Sequence, residues 1–96
     1  MNRYSILQDK KECYVCRTTN NLHLHHCIFG KNRKKADEDK LTVWLCQEHH
    51  EGTNGVHGKN GHNLDLQLKQ LAETEWCWYY NKTTKDFIKK YGRNYL

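Results

Sequence analysis

Two short ligand pairs constrain this chain more than any other feature: Cys13-Tyr14-Val15-Cys16 and Cys46-Gln47-Glu48-His49. Pairs of soft or borderline ligands at such spacing, well separated along a chain, close a tetrahedral zinc site of the Cys₃His kind. Unconnected core cysteines are the plainer reading of Cys13 and Cys16, and the downstream pair weighs against it. A chain of 96 residues buries a limited core, so an external staple is expected. The 5 cysteines are an odd number for a disulfide framework. No apolar segment follows Met1-Asn2-Arg3-Tyr4, so no signal peptide and no oxidising compartment are expected. Metal therefore explains the cysteines better than disulfides do. His50 directly follows the last zinc ligand and is left over, as are the adjacent His25 and His26. These three are expected to converge on a second, catalytic metal.

The rest of the chain places these residues on elements. Residues 1–12 read as a loose lead-in or short helix, with Tyr4, Ile6 and Leu7 able to pack. Thr18-Thr19-Asn20-Asn21 forms a turn, because Asn and Thr side chains bond nearby backbone and Asn tolerates positive φ. Leu22-His23-Leu24-His25-His26 alternates with the period of a strand, placing Leu22, Leu24 and His26 on one face and His23 and His25 on the other. A strand end or bulge near His25 is then needed to turn both paired histidines toward one ion. Residues 30–40 read as a charged loop: either a solvated surface, or a basic flap in which Lys31, Arg33, Lys34 and Lys35 grip phosphates. Leu41-Thr42-Val43-Trp44-Leu45 is a second strand, rich in β-branched and aromatic residues, delivering Cys46 to a short helix that carries His49 and His50. Gly52 and Gly55 end that helix around Asn54.

Beyond His57, Asn63 is placed as an N-cap with Asp65 in the first turn. Leu64, Leu68, Leu71, Ala72 and Trp76 follow on one stripe, with Leu66 off it, predicting a helix of roughly four turns to about Tyr80. Thr83-Thr84-Lys85-Asp86 resembles a capping box opening a last helix, with Phe87, Ile88 and Tyr91 apolar and Gly92 as its stop. Trp76, Trp78, Tyr79 and Tyr80 are able to stack on bases but read better as core. Cys27 and Cys77 read as small buried hydrophobes with free thiols, and His23 and His62 receive no role. There is no proline and no linker, so 1–96 is expected to be one domain, with a metal core over 13–58 and a helical part over 63–92. The longest apolar run, Trp76 to Tyr80, is too short to span a bilayer. A net charge of +5 favours a polyanionic partner, with DNA or another nucleic acid first.

Two strands joined by a long connection and followed by a helix, with histidines at the first strand's end and in the helix, make an α+β arrangement of the ββα-metal kind. Together with Cys13-x-x-Cys16, Leu24-His25-His26, Leu45-Cys46-x-x-His49-His50 and Gly55-Val56-His57, it resembles the HNH endonuclease family. The tail from Phe87 to Leu96 is similar to that of small phage and prophage HNH proteins of the recombination-enhancement type. The resemblance implies a zinc-stapled nuclease of a bacterial host cytoplasm, phage or prophage encoded, working alone or beside host recombinase or phage packaging and recombination proteins. It implies a structural Zn²⁺ on Cys13, Cys16, Cys46 and His49, and a catalytic divalent ion (Mg²⁺, Mn²⁺, Ni²⁺ or Zn²⁺) on His25 and His50. His26 is then the general base. The third contact is His57, with Asn54 or water as alternatives. Elementary chemistry agrees with these roles. A neutral imidazole near pH 7 takes a proton from water, and a divalent cation relieves charge on the leaving oxygen. One departure stands: the family's orienting Asn at the head of the second strand is here replaced by Leu41 or Thr42. A non-catalytic zinc-stabilised nucleic-acid-binding or phage accessory module is the competing expectation; what separates the two is the surplus of histidines, which a purely structural site does not need.

Overall fold

The computed structural model describes residues 5–96, arranged as a two-stranded antiparallel sheet and a set of helices. Strand β1 is Leu22–His26 and β2 is Thr42–Cys46, paired so that Leu22 faces Cys46, Leu24 faces Trp44 and His26 faces Thr42. Burial along β1 does not follow the alternation of the sequence: Leu22 and His23 are half-buried, Leu24 is exposed, and His25 and His26 are both buried. His25 is 2% exposed and lies opposite Val43, which is fully buried, whereas Leu24 is 37% exposed. No bulge interrupts the register. Consecutive strand residues therefore point to opposite faces, and His25 and His26 part company. The turn before β1 uses Asn21 in the left-handed region at φ 53°, as its residue type allows.

The connection between the strands is not the charged loop that its composition suggests. Residues Gly30–Asn32 form a 3₁₀ turn and Arg33–Glu38 form helix α1. Lys, Ala and Glu are good helix formers, and Ala36 anchors α1 by burying completely. Asn32, also buried, donates through Nδ2 to the Tyr91 carbonyl at 2.9 Å. Asp39, the last acid of the run, is buried too. Trp76 Nε1 and Tyr91 Oη donate to its Oδ2 at 2.9 and 2.6 Å, Lys90 Nζ stands 2.7 Å away, and Tyr80 Oη donates to its carbonyl at 2.8 Å. A charge run thus hides a structural carboxylate, which draws the segments carrying Trp76 and Tyr80 and carrying Lys90 and Tyr91 onto the turn before β2.

Helix α2, Gln47–His50, follows β2 without a break. Helix α3 spans His62–Tyr80, two residues earlier than the Asn63 cap implies; Gly61 is the N-cap position and no side chain caps it. Its stripe of Leu68, Ala72 and Trp76 is buried, and Leu66 is exposed as expected. Helix α4, Thr84–Tyr91, opens on the expected capping box: Asp86 N donates to Thr83 Oγ1 and Thr83 N donates to Asp86 Oδ2. Gly92 closes it at φ 87°, a conformation that costs glycine little. Phe87 and Tyr91 are buried, but Ile88 is 39% exposed, so the apolar face is narrower than its composition suggests. The aromatic cluster divides in the same way. Trp76 packs against Phe87 and Tyr91, whereas Trp78 and Tyr79 are 81% and 56% exposed and are not core.

One hydrophobic cluster joins the sheet to α3 and α4 through Val43, Leu45, Cys27, Ile28, Leu68, Ala72, Trp76 and Phe87. Ile6 belongs to it and Leu7 packs against it, so the lead-in docks rather than hangs loose; Tyr4 lies outside the described residues. Among the described residues no helix is long and apolar enough to cross a membrane.

Candidate metal centres

The first ligand set is built from two turns brought together by the sheet. Cys13 N donates to the Thr18 carbonyl at 2.8 Å and Arg17 N to the Cys13 carbonyl at 2.8 Å, curling residues 13–18 into a knuckle. Tyr14 N then donates to the Trp44 carbonyl at 2.8 Å, which pins the knuckle beside the end of β2. Cys46 ends that strand, and His49 stands one helical turn later on the same side of α2. Ligands held at ~2.3 Å (sulfur) and ~2.0 Å (nitrogen) from one zinc stand roughly 3.5–3.8 Å apart at tetrahedral angles. Here Cys13 Sγ is 3.6 Å from His49 Nδ1, Cys46 Sγ is 3.3 Å from the same nitrogen, and Cys16 Sγ is 3.8 Å from Cys46 Sγ. All four donor atoms lie within 4.8 Å of one another. This Cys₃His cluster has the donor chemistry and the spacing for zinc.

Electrostatics at Cys13 agree. Burial works to raise the Cys13 thiol, yet the backbone N–H groups of Cys16, Cys46 and Val15 outweigh it and hold the group down at about 6. A thiolate at neutral pH is what a zinc ligand must be. Cys27, expected to be an inert buried thiol, is pushed strongly upward by burial and then by Asp65. Cys77 is half-buried rather than buried.

The second set lies on the histidine face of the sheet. His25 ends the buried side of β1, His50 comes from α2, and His57 comes from the loop beyond it. Val56 N donates to the His49 carbonyl at 2.9 Å and His57 N to the His50 carbonyl at 3.1 Å, so the loop folds back along the helix and sets His57 beside His50. Glycine at 55 permits that approach, since a Cβ there would stand 2.7 Å from the backbone carbonyl carbon of His49. The rings of His25 and His50 are 5.3 Å apart, those of His50 and His57 4.8 Å, and those of His25 and His57 5.4 Å, all edge to face. One nitrogen from each lies within 4.8 Å of the others. His25 Nε2 is buried with no hydrogen-bond partner. Burial, then the neighbouring His50 and His57, lowers its pKa to about 3, and His50 is lowered by burial and His57. Unprotonated imidazoles with an orphaned buried nitrogen fit a divalent cation.

Of the residues that sequence assigns to the second centre, His25, His50 and His57 come together and His26 does not. His26 Nε2 faces Asp37 Oδ1 of α1 at 2.9 Å, on the other face of the sheet. Asn54, the alternative third contact, is exposed and accepts from Asn60 Nδ2 at 3.5 Å. Sequence assigns His23 no role, yet its Nδ1 lies 3.0 Å from His50 Nδ1, and His23, His50 and Glu51 form a further group of possible ligands. The signal was present in Leu22-His23-Leu24-His25, where residues two apart on a strand share a face.

Beside His26 opens a cleft of about 470 Å³ lined by Gly30, Lys31, Arg33, Lys34 and Asp37. Lys35 is not in it; its Nζ donates to the Lys90 carbonyl at 2.9 Å and ties α1 to α4. Three of the four expected phosphate contacts thus share one surface. No family model matches this chain, and neither the curated proteins nor the solved structures contain a match to it.

Proposed function

We propose that this chain is a zinc-stapled, metal-dependent endonuclease of the HNH type, hydrolysing phosphodiester bonds in DNA. The observation that carries the proposal is the triad of His25, His50 and His57, three imidazoles at ligand spacing beside a separate Cys₃His set with the donors for a structural zinc. A module that only needed stabilising has no use for the second set. A divalent cation held by the triad would offset charge on the leaving oxygen and in the transition state. Every other task falls to side chains of this chain. Lys31, Arg33 and Lys34 draw the backbone of the nucleic acid into the cleft by charge. His26, on the wall of that cleft at the end of β1, where the two faces of the strand meet, accepts the proton of the attacking water. Burial keeps His25 from carrying a proton that would compete with the cation.

The test is incubation of the zinc-loaded protein with supercoiled plasmid and Mg²⁺, Mn²⁺, Ni²⁺ or added Zn²⁺ in turn. Relaxed or linear product with at least one ion is expected, together with a loss of ~10²–10⁴ in rate for His26→Ala, the usual worth of a general base. Intact plasmid under every ion would return the chain to the binding-module reading, and wild-type turnover in His26→Ala would remove that residue from the mechanism.

A further inference from the structure

His26 and Asp37 form a pair that the two ligand sets leave unused. They stand on different elements, β1 and α1, and meet at 2.9 Å between Nε2 and Oδ1. His26 is 9% exposed at the wall of the cleft, whereas the Asp37 side chain is 65% exposed at its rim. The direction of the bond follows from the chemistry of its ends. A carboxylate accepts and does not donate, so the N–H belongs to His26 Nε2. A neutral imidazole that donates from Nε2 carries its lone pair on Nδ1.

We infer that Asp37 is a positioning residue, holding the His26 ring in one rotation and with its proton on Nε2, so that Nδ1 is the basic nitrogen. The catalytic consequence rests on the nuclease reading; the pairing itself does not. Without Asp37 the imidazole divides between two tautomers, and only one of them offers Nδ1 to a water in the cleft. Because the Asp37 side chain is 65% exposed and, among the described residues, bonds only His26, its removal leaves the buried clusters of the fold in place.

The test is a long-range ¹H–¹⁵N correlation spectrum of the zinc-loaded full chain, at a pH where an ordinary imidazole is mainly neutral, about 7.5. The His26 signals are assigned by their loss in His26→Ala. Expected are a protonated Nε2 and a bare Nδ1 in the wild type, a mixture of tautomers in Asp37→Ala, and recovery in Asp37→Glu. In plasmid cleavage Asp37→Ala should lower kcat by less than the ~10²–10⁴ that the general base itself is worth, with KM for DNA unchanged and no further loss in a His26→Ala background. A proton on Nδ1, protons on both nitrogens, or the same spectrum in Asp37→Ala would overturn the inference. A changed tautomer with undiminished kcat would overturn the positioning role. Should the wild type cleave no DNA with any ion, the nuclease reading falls while the spectra still decide the pair.

Discussion

His49 and His50 are neighbours in sequence with unlike surroundings. Residues one apart on a helix project about 100° from each other, so they cannot readily serve one ion. His49 Nδ1 sits among the sulfurs of Cys13 and Cys46, while the His50 ring lies against His23, His25 and His57. His49→Ala should release zinc and lower Tm by about 10 °C or more, since a loss of even ~2 kcal/mol moves a chain of this size by ~8–16 °C. His50→Ala should leave zinc content and Tm nearly unchanged and abolish activation by added divalent ions. Melting curves and metal analysis of the two variants check this; reversed phenotypes would place the ligand register one residue out. Both zinc pairs were legible in the sequence because two-residue ligand spacing is a local property. The partition of His25 from His26 was less so. Adjacent histidines invite a common destination, and only an unbroken strand, visible in three dimensions, sends them to opposite faces.

At the scale of elements, the helices past residue 60 could be read directly, since an apolar stripe and a capping box act within one segment. Helix α1 could not. Its composition, Arg-Lys-Lys-Ala-Asp-Glu, matches a solvated loop as well as a helix, and what decides is burial of Ala36 and of Asn32 against distant partners. The folded segment sorts its cations. Replacing Lys31, Arg33 and Lys34 together by Ala should flatten the slope of log K for DNA against log salt by up to roughly 2–3, at about 0.9 per phosphate contact. Lys35→Ala, whose amine is committed to the Lys90 carbonyl, should leave that slope alone. Binding isotherms across a salt series separate the two, and an unchanged slope in the triple variant would make the cleft an ordinary surface. Asp39 belongs to the same segment and shows the same limit of composition. Asp39→Asn keeps the shape but weakens bonds to Trp76, Tyr91 and Lys90. Hydrogen bonds to a buried charge are worth ~1.5–3 kcal/mol. The expected fall in Tm is therefore about 6–24 °C by thermal melting, and a change below about 2–4 °C, the scale of ordinary surface substitutions, would contradict the role given to Asp39.

Across the whole molecule the two ligand sets divide the labour. The Cys₃His set joins the knuckle at residues 13–16 to the end of β2 and to α2, which are far apart in sequence, so a metal held there would supply cohesion that a small core does not. The histidine triad sits where β1, α2 and the following loop meet, and it inherits its geometry from that stapled frame. Neither the sheet nor α2 is long enough to stand alone. The central claim is that one chain binds two divalent ions through chemically distinct sets, one with thiolates and one without. Titration of the metal-free chain with cobalt(II), followed by absorbance, tests it most directly, because only thiolate ligands give the intense near-ultraviolet charge-transfer band. The first equivalent should produce that band and restore the fold in the wild type and in His50→Ala alike; a second equivalent should bind without enlarging the band, in the wild type alone. Saturation at a single equivalent in the wild type, or loss of the thiolate band in His50→Ala, would contradict the claim.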